Sequence, residues 1–404
     1  MPAVPLRRNR DFVLYQTGQL LSNVGSQATA IAYPLLVLAL THSAVKAGLV
    51  STARLVPLAL FAIPAGLASD RWNRRTLMLL ADGLRVVAMG ALALVVAGGH
   101  ASVGLIGAVA FVEGGGSALF SACQAGVLRA VVPAHQLPEA AGTQSGRTAA
   151  VQLAGPPAGG ALFELARALP FGVDVVSYAF STLSLLWMRT PFQEERPPHP
   201  SSLRARIGEG LAYLWHQPFL RTCALLYGLL NFLSSGLLFS LVVIGRDQGL
   251  PGGVVGLLVA LFAGAVLLGS VLSPRIRRRL SLRSVLLLEI WAWLGCAAFV
   301  VWPNDFVLAA GIVPVGLAIP STDSVVNGYR IAITPDRLLG RSESVRSAIT
   351  LSIAGAAPLV AGILLARTTP RWTIGCFAGA AVVLALWGST TAELRHPPPL
   401  PVAP

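Results

Sequence analysis

Four ionisable residues lie deep inside long apolar stretches of this chain: Arg54, Glu113, Asp174 and Asp323. An isolated charge at the middle of a bilayer costs about 3 kcal/mol even on lenient insertion scales. Each must therefore find a counter-charge, face water or do work. A carboxyl group out of water holds a proton more readily than one in water, which suits a group that loads and releases one proton per cycle. Glu113 falls about ten residues into its apolar run, near mid-membrane by helical rise, and is the first candidate for such a proton carrier. Asp323 is the second, with a structural pair to Arg330, two turns further on, as the alternative. Asp174 and Arg54 fall nearer the outer side and are candidates to gate or to pair. For each of the four, a packing role and a proton-handling role stay open.

Polar residues also recur at steps of three or four, so that each set shares one helix face. The sets are Gln16, Gln19, Asn23 and Gln27; Glu113, Ser117, Ser121 and Gln124; Tyr227, Asn231 and Ser235; and Asp323, Asn327 and Arg330. They fall on the first, fourth, seventh and tenth apolar runs. A central aqueous path requires such a period, and Phe111, Trp291, Phe232, Phe239 and Tyr33 would suit a bulky, mostly apolar substrate. The competing reading is that each ladder is hydrogen-bonding glue between helices. No catalytic residue is assigned: no Ser/His/Asp or Cys/His arrangement shares a depth. The six histidines are scattered and the four cysteines fit no metal or disulfide spacing. No metal and no cofactor are expected, and no Gly-x-x-x-x-Gly-Lys-Ser/Thr string is present to drive the chain with ATP.

These residues need a lipid-embedded scaffold. Hydrophobic residues make up 54% and charged residues 12%, with a mean hydropathy of +0.70; a soluble chain of this length carries roughly twice that charge. The hydrophobicity pattern predicts spans near 12–40, 47–69, 76–98, 103–128, 140–166, 168–188, 218–245, 251–273, 284–303, 306–332, 340–366 and 372–392. The fifth and eleventh are rich in Gly, Ser and Thr. The net charge of +13 does not point to nucleic acid, because of where it falls. Arg7, Arg8, Arg10, Arg71, Arg74, Arg75, Arg204, Arg206, Arg275, Arg277, Arg278, Arg279 and Arg337 all lie on one side of the alternating spans. Only Lys46, Arg167, Arg246, Arg367 and Arg371 lie on the other. By the positive-inside rule both termini are cytoplasmic and the span number is even. No cleavable signal pattern precedes the first span.

The chain divides into a six-helix half at 1–189, a cytoplasmic linker at 190–217, a second half at 218–395 and a disordered tail at 396–404. Leu203, Ile207, Leu211 and Leu214 predict an amphipathic helix at the membrane surface within the linker. Loose repeats about 200 positions apart relate the halves, as Gly66…Arg74-Arg75 to Gly269…Arg277-Arg278. Two such repeats around a midplane site form a transporter architecture.

The turn Gly66-Leu67-Ala68-Ser69-Asp70-Arg71-Trp72-Asn73-Arg74-Arg75 resembles the loop between spans two and three of the major facilitator superfamily, Gly-x-Leu-Ala-Asp-Arg-x-Gly-Arg-Arg. Gly66, Asp70, Arg71, Arg74 and Arg75 match, and Asn73 stands for the second glycine, being tolerant of left-handed backbone. Gly155-Pro156-Pro157-Ala158-Gly159-Gly160 in span five resembles the Gly-Pro-x-x-Gly-Gly motif of drug:proton antiporters. Asp82-Gly-Leu-Arg85, the stretch 209–218 and Thr334-Pro335-Asp336…Gly340-Arg341 are similar to the macrolide-efflux and enterobactin-exporter branch. One departure is Val112-Glu113-Gly114-Gly115-Gly116, where drug exporters often carry an arginine. The resemblance implies an all-α membrane protein of twelve transmembrane helices in two pseudo-symmetric bundles. It implies a monomer in the bacterial cytoplasmic membrane, not an enzyme, exchanging an amphipathic small molecule for protons. It also implies that Asp70 and the loop arginines hold the halves together, with Gly66 permitting close approach. An uptake symporter of the same fold and a non-transporting scaffold or sensor are the alternatives.

Overall fold

The computed structural model describes residues 5–192 and 203–395, and within them every regular element is helical. In order these are α1 (Arg10–Thr41), α2 (Ala44–Arg71), α3 (Arg74–Ala97), α4 (Val103–Val131), α5 (Leu137–Leu165), α6 (Leu169–Trp187), α7 (Leu203–His216), α8 (Pro218–Asp247), α9 (Gly252–Arg279), α10 (Leu282–Ala292), α11 (Ala298–Val301), α12 (Asp305–Ile333), α13 (Asp336–Gly355), α14 (Ala357–Arg367), α15 (Pro370–Thr390) and α16 (Ala392–Arg395). Helices are the expected outcome in lipid, where each backbone N–H and C=O must find its partner within the segment. Among the described residues, eleven stretches are long and apolar enough to cross a membrane. The exception among the twelve expected spans is α5, which has the length but a Gly-, Ser- and Thr-rich surface. The expected disordered tail at 396–404 and linker residues 193–202 lie outside the described residues.

The helix starts follow capping chemistry. Asn9, Ser43, Asn73, Ser102, Ser281, Asn304 and Thr369 each accept a hydrogen bond from a backbone N–H of the first turn. Asn73 departs from expectation. Its φ of −61° is not left-handed; it serves as the N-cap of α3, its side chain accepting from Arg75 N at 2.9 Å and Thr76 N at 3.3 Å. A glycine there would lose that cap. The expected ninth span is α10 and α11 joined by a 3-10 turn, Trp293–Ala297. The eleventh is broken at Ala356, where Pro358, lacking an N–H, opens α14.

The chain folds into two compact units, residues 1–200 with 249–257, and residues 201–248 with 258–404. In the first, α1 packs on α5 and α6, α2 on α4, and α3 on α4 and α6. One end of this unit has an apolar core of Phe12, Tyr15, Met78, Phe120, Cys123, Val127 and Leu185. Polar clamps seal it. Asp11 accepts from Arg189 N, Thr190 N and Thr190 Oγ1 at 3.0, 2.7 and 2.6 Å. Arg75 donates to the Leu185, Leu186 and Met188 carbonyls at 2.5–2.7 Å, placing a cation at the negative end of α6. Arg74 donates to the Ser69 carbonyl at 3.2 Å and the Phe192 carbonyl at 3.5 Å. These bonds of Arg74 and Arg75 lie inside the first unit.

A Cβ added at Gly66 would meet no atom within 4 Å, which corrects the expectation of a close helix approach there. Gly66→Ala is accordingly expected to raise stability by about 0.5–1 kcal/mol, the usual gain of alanine over glycine inside a helix. The check is the unfolding midpoint in detergent; a fall would reveal a neighbour.

In the second unit α13 packs on α7 and α8, α14 on α8, and α10 on α12 and α15. The amphipathic segment expected at 203–216 is α7. It is docked by the Tyr213 hydroxyl on the Ile333 carbonyl at 2.9 Å and by an ion pair between Arg341 and Glu209. Leu214 is buried, while Leu211 and Trp215 stay exposed.

Candidate functional site

The first unit gathers five ionisable side chains in one connected cluster. Arg54 on α2 donates to Glu113 on α4 through Nε at 2.5 Å and Nη2 at 3.3 Å, and Nη2 also reaches the Ser26 carbonyl at 3.1 Å. Glu113 is fully buried and accepts further bonds from the Ser117 and Tyr178 hydroxyls at 3.3 Å each. The Tyr178 hydroxyl also shares a hydrogen bond with Ser26 Oγ at 2.8 Å. The Arg85 guanidinium lies 4.3 Å from the Tyr178 ring centroid and 5.0 Å from that of Phe120. Arg85 pairs with Asp82 one turn back on α3.

Asp174 completes the set from α6. It is fully buried and accepts from Ser177 Oγ at 2.9 Å and Thr29 Oγ1 at 3.1 Å. Among the described residues no cation lies within ion-pair distance of it. Glycines make room for the cluster. A Cβ at Gly25 would strike Asp174 and Ser177, one at Gly114 the Arg54 carbonyl, and one at Gly116 the Arg85 side chain. The guanidiniums beside the Glu113–Gly116 stretch come from α2 and α3.

Two of the four expected intramembrane charges, Arg54 and Glu113, therefore pair with each other, and Asp174 stands apart with hydroxyl partners only. Tyr178, the hub between Glu113 and Arg85, was not singled out in the sequence; its place four residues after Asp174, on the same helix face, was the available signal.

The polar ladder of α1 bonds across helices. Gln19 donates to Ser181 Oγ at 3.2 Å and accepts from Gln124 Nε2 at 3.2 Å. Gln16 accepts from Arg147 Nη1 at 2.6 Å, so Arg147 is engaged within the first unit. Asn23 and Gln27 are half-buried. Ser121 donates to the Ser117 carbonyl at 2.5 Å. In the Gly-Pro motif of α5, added Cβ atoms at Gly155, Gly159 and Gly160 would strike Gln27, the Ala28 backbone and the Gly252 backbone. Pro156 is buried without ending the helix. The motif's observed work is close packing of α5 on α1 and on the start of α9. Tyr33 is buried against Phe171, its hydroxyl on Met89 Sδ at 3.2 Å.

In the second unit Tyr227, Asp323, Asn327, Arg330, Ser342 and Arg346 line a cavity of about 40 Å³, far below the size of a drug-sized ligand site. Arg330 does not pair with Asp323, the alternative weighed from the sequence. It pairs with Glu343 at 2.8 Å, and Arg346 holds the same carboxylate at 2.6 and 2.9 Å. Two turns separate Asp323 from Arg330 along α12, whereas α13 brings Glu343 directly alongside. Asn231 is exposed and donates to the Tyr227 carbonyl at 2.8 Å; Ser235 is half-buried. A carboxylate overlooked in the sequence, Glu289 on α10, is buried at 3% exposure. Its signal was plain, an acid between Leu288 and Ile290 in an expected span.

The family described as transmembrane secretion effector matches residues 2–398. The chain belongs to that family. Solved structures of transporters share its fold. A bacterial homolog of the human lysosomal transporter Spinster, in an inward-facing and unoccupied conformation, shares 16% identity over 97% of this chain and all of its own, with a TM-score of 0.73. A bacterial homologue of the iron transporter ferroportin shares 18% over 96% and 100%, with a TM-score of 0.72. The nucleoside transporter NupG shares 14% over 95% and 98%, with a TM-score of 0.73. No curated protein sequence matches significantly. The chain is a multi-pass membrane transporter of this fold.

Proposed function

We propose that this transporter is a secondary-active exporter. It expels an amphipathic small molecule across a bacterial cytoplasmic membrane in exchange for protons, by alternating access, as a monomer with both termini cytoplasmic. The chain carries no cofactor and catalyses no reaction in this reading. The observation that carries it is the charge balance of the buried cluster in the first unit. Among the described residues Asp82, Glu113 and Asp174 pair with no cations other than Arg54 and Arg85. Three acids against two guanidiniums leave one negative charge over, and an uncompensated buried charge is far more costly than a neutral acid. One proton balances the cluster. Glu113 and Asp82 have their counter-charges, so the proton-carrying role expected first of Glu113 passes to Asp174. Its hydroxyl partners Thr29 and Ser177 can serve either protonation state, because a hydroxyl both donates and accepts.

Asp323, beside Tyr227 in the second unit, remains a candidate for coupling, and the arginine-rich loops support the cytoplasmic termini. Gln19, Asn23, Gln27, Ser117, Tyr227, Asn231, Ser235 and Asn327 are proposed to border the substrate path in at least one state of the cycle. The Asp70–Arg75 turn is proposed to set the rate of exchange between states.

Everted vesicles with an acid interior test the reading. The fluorescent amphipathic cation ethidium is expected to accumulate inside only while the pH gradient stands. Asp174→Asn is expected to keep downhill ethidium flux and lose at least tenfold of the gradient-driven component. Gradient-driven flux equal to wild type would remove Asp174 from coupling. Uptake of the opposite sign would make the protein a symporter.

A further inference from the structure

Glu289 is an acid that neither the charge balance of the first unit nor the Glu343 ion pairs of the second employ. It sits on α10 with 3% of its surface exposed, between the buried residues Leu286, Ile290 and Trp293. Its Oε2 makes no hydrogen bond, and neither does the buried indole Nε1 of Trp293, one turn along the same face. Across from it α12 brings Thr322 and Asp323 as polar neighbours, and the adjoining Ser321 hydroxyl is likewise buried without a partner. The helix carrying Glu289 changes to 3-10 geometry at Trp293–Ala297, immediately after this turn, a change that often marks a hinge.

The charged groups around it are few. On α12 there is Asp323, an acid. On α8 there is Tyr227, whose buried hydroxyl lies beside Asp323. On α15, whose Gly388 lies against Ile290, no titratable side chain occurs from Phe377 to Thr390. The guanidinium that acts on Asp323, Arg346, is bound in bidentate fashion by Glu343. A buried carboxylate beside a second acid and without its own cation is strongly unfavourable, and the physical remedy is one bound cation shared by the two oxygen sets. The groups that act directly on Glu289 are the Thr322 hydroxyl and the Asp323 carboxyl, fewer oxygens than a dehydrated metal ion takes and sufficient for a proton.

We infer that Glu289, next to Thr322 and Asp323, is a proton-binding site of the second unit that is loaded and unloaded as the transporter cycles. It rests on the reading of proton-coupled transport given above, and would supply a second proton position besides Asp174.

The test has two arms on the full-length protein. In lipid nanodiscs at neutral pH, infrared spectra of wild type and Glu289→Gln are compared for the C=O stretch of a protonated carboxyl. The expected result is a band present in wild type and lost in Glu289→Gln, unmoved by sodium chloride in place of potassium chloride. Loss of no band overturns the proposal, and a band abolished by sodium overturns it in favour of a metal-ion site. In everted vesicles Glu289→Gln is expected to keep downhill ethidium flux and lose at least tenfold of the flux driven by the pH gradient. Full gradient-driven flux in this near-isosteric variant overturns the coupling role. Glu289→Asp, which restores the acid, is expected to recover part of the flux, and a variant as inactive as Glu289→Gln would also count against it. A wild-type protein that shows the band but moves ethidium in no gradient defeats the transport reading, not the proton site.

Discussion

Arg54→Met is expected to lower the stability of the protein in detergent by about 3–5 kcal/mol, the usual cost of leaving one member of a buried pair alone. Glu113 has no exposed surface, and two of its bonds come from the guanidinium. Methionine fills much of the arginine's volume, so the loss reports charge, not a cavity. The second change, Glu113→Leu, should then restore most of the stability, because an apolar pair replaces an ion pair at little cost. Denaturant or thermal unfolding of the two single variants and the double variant gives the coupling directly. Additive losses in the double variant would mean that the pair contributes nothing as a pair.

Gly159→Val is expected to cost about 3 kcal/mol, at the upper end of overpacking. A Cβ at Gly159 would meet the Ala28 carbonyl, Cα and carbonyl carbon, and backbone cannot swing aside as a side-chain tip does. Valine adds two methyl groups to that collision. Gly142 lies on the same helix with nothing within 4 Å of an added Cβ, so Gly142→Ala is the control and should be neutral or slightly stabilising. Equal midpoints for the two variants would show that α5 does not lean on α1 at this point. The contrast also separates packing from chemistry in the Gly-Pro motif. Gly159→Ala, milder in bulk, is expected to lower transport and stability together, as a packing defect must.

The helices were legible because lipid imposes one rule on every backbone group, and long apolar runs obey it visibly. Caps such as Asn73 were legible only in part. The residue type announced a turn, but whether its side chain would cap or its backbone would turn left-handed depends on the two-residue spacing between α2 and α3. The charged candidates were legible as residues within apolar runs, yet their partners were not readable. Arg54 and Glu113 are fifty-nine positions apart in sequence, and only the packing of α2 on α4 joins them. The same holds for Arg330, drawn to Glu343 of α13 and away from Asp323 of its own helix. Glu289 was visible as a residue and was missed as a site, because it belongs to no polar ladder and to no motif.

The clamps at the end of α6 carry a mechanical consequence. The chain leaving this unit passes Arg189 and Thr190, both held by Asp11 at the start of α1. The carbonyls just before them are gripped by Arg75 at the start of α3. A pull on the outgoing strand is therefore shared at once among three helix ends, which makes that end of the unit a stiff plate. Force arriving there would turn the plate as one piece before it unravelled any single helix.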